Sequence, residues 1–146
     1  MKTLLVIEDG DEYAEFARIF LGHAFEVRVA KRAPDALACL RTGPVHGILI
    51  DLRFDRAAAS DLVGDITATA ERMFAGDTER ALRHLQDQQG VLILAELRTA
   101  GFGQPAVFIH EFPPRRMQNL KKLSDPVHAL SSFDATALLH LLGGGD

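Results

Sequence analysis

Three short apolar runs each end in side chains able to do chemistry. Leu4-Leu5-Val6-Ile7 leads into Glu8-Asp9, Gly47-Ile48-Leu49-Ile50 into Asp51, and Ala106-Val107-Phe108-Ile109 into His110. Carboxylates brought together in one place repel one another unless a cation lies between them, and hard oxygen ligands suit Mg²⁺. The chemistry to expect is an acidic, divalent-metal pocket around Asp51, built from Glu8, Asp9 and Asp51. His110 extends the choice. With the three carboxylates it would form a mixed carboxylate-imidazole site suited to a transition metal. The alternative is a histidine that only fills space, favoured because no second His or Cys sits at ligand spacing.

The elements that must position these groups follow from the same runs. Unbroken apolar stretches of about four residues suit strands covered on both faces, as in parallel sheets flanked by helices. Ligands of such sheets bind at the carboxyl ends of the strands. Between the runs, Asp11 to Leu21 has apolar residues at helical spacing, Tyr13, Phe16, Ala17 and Phe20, with Gly22 placed to end it. Phe25 to Val29 alternates with period two, as an edge strand should. Ala33-Pro34-Asp35 opens a second helix and Thr42-Gly43-Pro44 closes it. Further helices are expected over Gly90 to Ala100 and Pro114 to Leu123, and a last strand over Val127 to Leu130. Ser131-Ser132-Phe133-Asp134 has the form of a capping box, with Ser131 as N-cap of a closing helix that runs through Leu142. Five strands alternating with helices predict a doubly wound α/β sheet.

Composition narrows the function. With 146 residues and 47% apolar content, the chain is expected to form one domain with a substantial core. A formal charge of −4 argues against a nucleic-acid partner. The basic cluster Arg115, Arg116, Lys121 and Lys122 is read as a solvated helix face. The single cysteine, Cys39, excludes an internal disulfide and fits a reducing compartment. No membrane-length apolar stretch is present, and Met1-Lys2 leads directly into a strand, so a cytoplasmic location with no membrane association is expected.

Glu8-Asp9, Asp51 and the strand-helix alternation together resemble a response-regulator receiver domain of the CheY-like type. The resemblance covers everything but about Arg56 to Gln88. It implies a flavodoxin-like, five-stranded parallel sheet of order 2-1-3-4-5. It also implies Asp51 as phosphoacceptor, with Mg²⁺ held by Glu8, Asp9, Asp51 and the backbone carbonyl of Arg53. By the same resemblance the partners would be a histidine kinase or phosphotransfer protein and a downstream protein, in two-component or phosphorelay signalling rather than enzymatic turnover. The chain departs from the pattern at two positions that touch the phosphoryl group. His110 stands where receivers carry Ser or Thr, and Ser131 where they carry a lysine before Pro-Phe. His128 occupies the place of the aromatic switch residue. Ser131 has no charge to offer a phosphoryl group, so a phosphorylation-independent adaptor is a variant of the same reading. A Mg²⁺-dependent phosphoester-cleaving enzyme of the Toprim type is the alternative. Against it, Asp51 and Asp55 are four apart, whereas that pattern has Asp-x-Asp.

The segment from Arg56 to Gln88 replaces a short loop. Ala57 to Ala59 and Asp61 to Phe74 are expected to be helical, with Leu62, Ile66, Ala70 and Met73 on an apolar face. Gly76-Asp77 should break and recap a second helix over Thr78 to Gln88, bearing Ala81, Leu82 and Leu85. Such a helical insertion could cover the Asp51 pocket, present a partner-binding face or build a homodimer.

Overall fold

The computed structural model describes residues 1–143. Five strands, β1 (Lys2–Ile7), β2 (Phe25–Ala30), β3 (Gly47–Ile50), β4 (Ala106–Ile109) and β5 (Val127–Leu130), form one sheet in the order β2-β1-β3-β4-β5. Every pairing is parallel, giving the expected flavodoxin-like sheet. All four residues of β3 are buried, as are Leu4 to Ile7 of β1, which explains their unbroken apolar character. The edge strands β2 and β5 are only partly covered.

Alternation along the strands divides the core in two. Leu5, Ile7, Ile48, Ile50, Ala106, Phe108 and Val127 face one layer. There they meet α2 (Ala33–Thr42), α5 (Gln89–Thr99) and α6 (Pro114–Ser124) through Ala36, Leu40, Ile93, Leu94, Leu97 and Leu120. Leu4, Val6, Leu49 and Val107 face the other. That layer consists of α1 (Glu12–Phe20) and α7 (Ala135–Leu141), which contribute Tyr13, Ala14, Ala17 and Leu138. No helix of the described residues is long and apolar enough to cross a membrane.

Two local expectations are corrected. Ser131 is not the N-cap of the closing helix. Asp134 is, accepting the Ala137 N–H at 3.1 Å, because the chain turns through Ser131-Ser132 before the helix begins. The first inserted helix is also shorter than its apolar spacing suggests. After a 3₁₀ turn at Ala59–Asp61, the helix α3 (Ile66–Met73) starts only once Gly64, at φ +113°, has redirected the chain and Asp65 has capped the Ala68 N–H. Ala75 and Gly76, both at positive φ, turn it into α4 (Thr78–Asp87), whose N-cap is Asp77. Ala70, Ala81 and Leu85 are buried in this hairpin, but Met73 is 50% exposed. Met73 ends α3 beside the Ala75-Gly76 turn, and α3 and α4 pack mainly against each other.

The insertion is tied to the domain by its base. The Phe54 N–H donates to the Gln86 carbonyl (2.8 Å), and the Gly90 N–H donates to the Leu52 carbonyl (2.9 Å). Buried Gln89 accepts the Val63 N–H and donates to the Val63 and Leu85 carbonyls, while Gln86 donates to the Ala57 carbonyl. Phe54 itself is buried among the residues of the α2/α5/α6 layer.

Candidate functional site

Register decides which side chains meet. Ile7 lies opposite Ile50, and Ile50 opposite Phe108, so Asp51 emerges level with Ile109. The Asp51 N–H continues the ladder to the Ile7 carbonyl at 2.9 Å. Strand side chains alternate, and Ile50 belongs to the α2/α5/α6 layer. Asp51 is therefore turned towards α1, where the Tyr13 hydroxyl lies 3.3 Å from Oδ1. The same hydroxyl is 3.4 Å from the Ile109 carbonyl.

Asp51 is half-buried, and its carboxyl pKa is pushed up to about 6, chiefly by burial and further by the charge of nearby Asp9. Hydrogen bonds from the Arg53 N–H, the Tyr13 hydroxyl and the Leu52 N–H pull the other way. The Tyr13 phenol is raised well above the ordinary range, first by burial and then by the Asp51 carboxylate beside it. It is consequently a neutral donor. Behind the acid, Gly90 permits a close approach of α5: a Cβ there would sit 2.0 Å from the Asp51 carbonyl oxygen.

Glu8, expected as a metal ligand, has both of its oxygens engaged by main-chain amides. Its side chain is 0% exposed, and its two oxygens accept the Tyr13 N–H (3.0 Å) and the Ala14 N–H (2.8 Å). Burial raises its pKa, opposed by those two amides and by Lys31. The strand-end acid thus satisfies the free amides at the start of α1, work that Asp11, the N-cap residue, does not do with its side chain. Lys31 bonds the Gly10 carbonyl and pairs with Asp11 at 3.0 Å, bracing the loop. Asp9 Oδ2 accepts the Arg56 N–H at 2.7 Å, linking the acidic loop to the start of the insertion. Among the described residues, no group of three or more His, Cys, Asp or Glu side chains could hold a metal ion. Of the three expected carboxylates, Glu8 is bonded to two amides, while the charge of Asp9 helps to raise the pKa of Asp51. Mg²⁺ keeps several of its waters and so needs few protein oxygens.

His110 and Ser131 are placed elsewhere. One residue beyond Ile109, His110 points to the opposite face and packs edge-on against Phe112, with ring centroids 4.7 Å apart. With Ser131, His128, Lys121 and Met117 it lines a cavity of about 520 Å³ that Asp51 does not line. Burial lowers the His110 pKa, as do the charges of Arg53 and Arg116. The residue that sequence reasoning missed is Tyr13, taken there only as an apolar position of the first helix. A signal was available, since a buried tyrosine hydroxyl needs a partner and this one follows directly on an acidic strand end.

No protein-family model matches the chain, and no curated protein matches it. Solved structures do match. The receiver domain of the Francisella response regulator 1452 superposes with a TM-score of 0.61 at 17% identity, over 98% of this chain and 94% of that one. The Vibrio cholerae chemotaxis protein CheY4 gives 0.63 at 17% identity, over 98% and 97%. The Thermotoga maritima response regulator TrrA, in complex with Mg²⁺-BeF, gives 0.59 at 15% identity, over 96% and 95%. These likenesses show that the chain has the fold of CheY-like receiver domains.

Proposed function

We propose that this chain is an atypical receiver protein of two-component or phosphorelay signalling and that Asp51 is its phosphoacceptor. The observation that carries the reading is Asp51 itself. It is half-buried at the carboxyl end of the central strand β3, with Asp9 beside it and donors from Tyr13 and the Leu52 and Arg53 amides around it. An acid kept there at a cost in solvation is the mark of a site rather than of a scaffold. Asp9, Asp51 and the Arg53 carbonyl would hold Mg²⁺, which supplies charge neutralisation for phosphoryl transfer. Glu8 keeps the amino end of α1 against β1, so that Tyr13 faces Asp51. A histidine kinase or phosphotransfer protein is the donor in this reading, and the output is contact with a downstream protein in the cytoplasm. Neither nucleic acid nor membrane is a partner. The adaptor variant, which works without phosphorylation, draws support from Ser131, whose uncharged side chain lines the separate cavity with His110.

Incubating the protein with acetyl phosphate and Mg²⁺ and weighing it intact tests the proposal. A gain of one phosphoryl group, abolished in Asp51→Asn, is expected. No gain, or a gain that survives the substitution, would overturn it.

A further inference from the structure

The Tyr13 hydroxyl carries one hydrogen and has two acceptors, Asp51 Oδ1 at 3.3 Å and the Ile109 carbonyl at 3.4 Å. Which one it serves depends on the charge at Oδ1, because a hydrogen bond to an ionised acceptor is about twice as strong as one to a neutral acceptor. We infer that Tyr13 is the reset element of the site, a fixed donor that stabilises the carboxylate form of Asp51 over its acyl phosphate and so speeds loss of the phosphoryl group. This inference rests on the phosphoacceptor reading of Asp51.

A lone pair on Asp51 Oδ2, the oxygen not facing Tyr13, attacks the phosphorus of the donor. The bond from phosphorus to the donor's leaving group breaks, P–N in a phosphohistidine and P–O in acetyl phosphate, and that group departs with the electron pair. Oδ1 is now the carbonyl oxygen of a mixed anhydride, a weaker acceptor, and the hydroxyl divides itself between it and the Ile109 carbonyl. In hydrolysis a water oxygen attacks phosphorus and the Oδ2–phosphorus bond breaks. The electron pair returns to the Asp51 carboxylate, and both water hydrogens leave with the phosphate. Negative charge grows on Oδ1 as that bond breaks, and the Tyr13 hydrogen bond strengthens with it, which is the condition for accelerating a step. Tyr13 neither gives up nor gains a proton. Burial, the largest influence on the phenol, keeps it neutral throughout.

The hydroxyl is separable from the ring. Tyr13 packs edge-on against Phe133, with centroids 4.9 Å apart, and Phe133 rests on Phe16, so Tyr13→Phe keeps the aromatic packing and removes only the donor. Tyr13 is also the sole tyrosine of a chain without tryptophan, so the intrinsic fluorescence belongs to one side chain, the one facing Asp51.

The test uses the full chain with acetyl phosphate and Mg²⁺, then removal of the donor and timed intact-mass measurement. Tyr13→Phe should lose its phosphoryl group on the order of tenfold more slowly than the parent protein, the size expected of one charge-assisted hydrogen bond. Parent fluorescence should rise on phosphorylation and in Asp51→Asn, as the quenching carboxylate is lost. Equal or faster loss in Tyr13→Phe, with the mark on Asp51 in both proteins, would overturn the role of Tyr13 and leave the phosphoacceptor reading intact. No mass gain in either protein would overturn that reading and the role of Tyr13 with it.

Discussion

Replacing Asp51 with Asn should make the protein more stable at neutral pH. The carboxyl pKa in the folded state is about 6 against an ordinary 3.8, and burial is the main cause. A raised folded pKa means that the native state binds the proton more tightly than the unfolded chain. The stabilisation from protonation is complete below the unfolded value and is lost as pH rises through the folded one. Above about pH 7 Asp51 is therefore a buried charge that works against folding. A shift of about two units at about 1.4 kcal/mol per unit sets a ceiling near 3 kcal/mol, and residual solvent contact brings the expected gain to about 2 kcal/mol. Asn retains an acceptor for the Tyr13 hydroxyl and adds no volume, so little else changes. Urea denaturation followed by circular dichroism, with EDTA present, should show Asp51→Asn ahead by about 2 kcal/mol at about pH 7.5. The gap should close towards zero near about pH 4. A substituted protein no more stable than the parent at neutral pH, or a gap that ignores pH, would refute the argument that burial sets the state of Asp51.

Glu8→Ala strips the Tyr13 and Ala14 amides of their acceptor and should cost about 2 kcal/mol, measured by the same denaturation, after allowing for relief of a buried charge. Gly90→Ala should cost about 3 kcal/mol or prevent folding, since its Cβ would lie 2.0 Å from the Asp51 carbonyl oxygen, whereas Gly103→Ala, with open space around it, should leave the thermal midpoint nearly unchanged. Gln89→Leu removes one accepted and two donated hydrogen bonds; amide exchange should quicken from Val63 to Leu85 while the strands keep their protection.

Much of the fold was legible because burial on both faces leaves its trace in consecutive residues. Ile48 to Ile50 and Ala106 to Phe108 could hardly be anything but interior strand. Lys2 and Thr3 were missed at the start of β1 because they are strand only through their pairing with Phe25 and Glu26, a distant segment. The placement of Asp51 at the end of β3 was legible and the contacts of its neighbours were not, for a related reason. Glu8 and His110 stand at strand ends like Asp51, but what each touches depends on register and helix docking. One residue of register turns His110 to the other face, and the docking of α1 commits Glu8 to two amides. Tyr13 was hidden by its own periodicity, since an apolar spacing records the ring and not the hydroxyl. Met73 had the right spacing for burial, but spacing cannot tell which side chains a hairpin leaves uncovered.

The two hydrogen bonds at the base of the inserted hairpin make it a cassette. The chain leaves the domain at Leu52 and Phe54 and returns at Gln86 and Gly90, beside its point of departure. The entropy of closing such an excursion grows only slowly with its length, so its contents can be lengthened, shortened or exchanged with little thermodynamic effect on the sheet. The cassette is nonetheless hinged on the main chain of the acid itself, through the close approach of Gly90 to the Asp51 carbonyl. Whatever binds the hairpin therefore binds a segment anchored beside the backbone of Asp51.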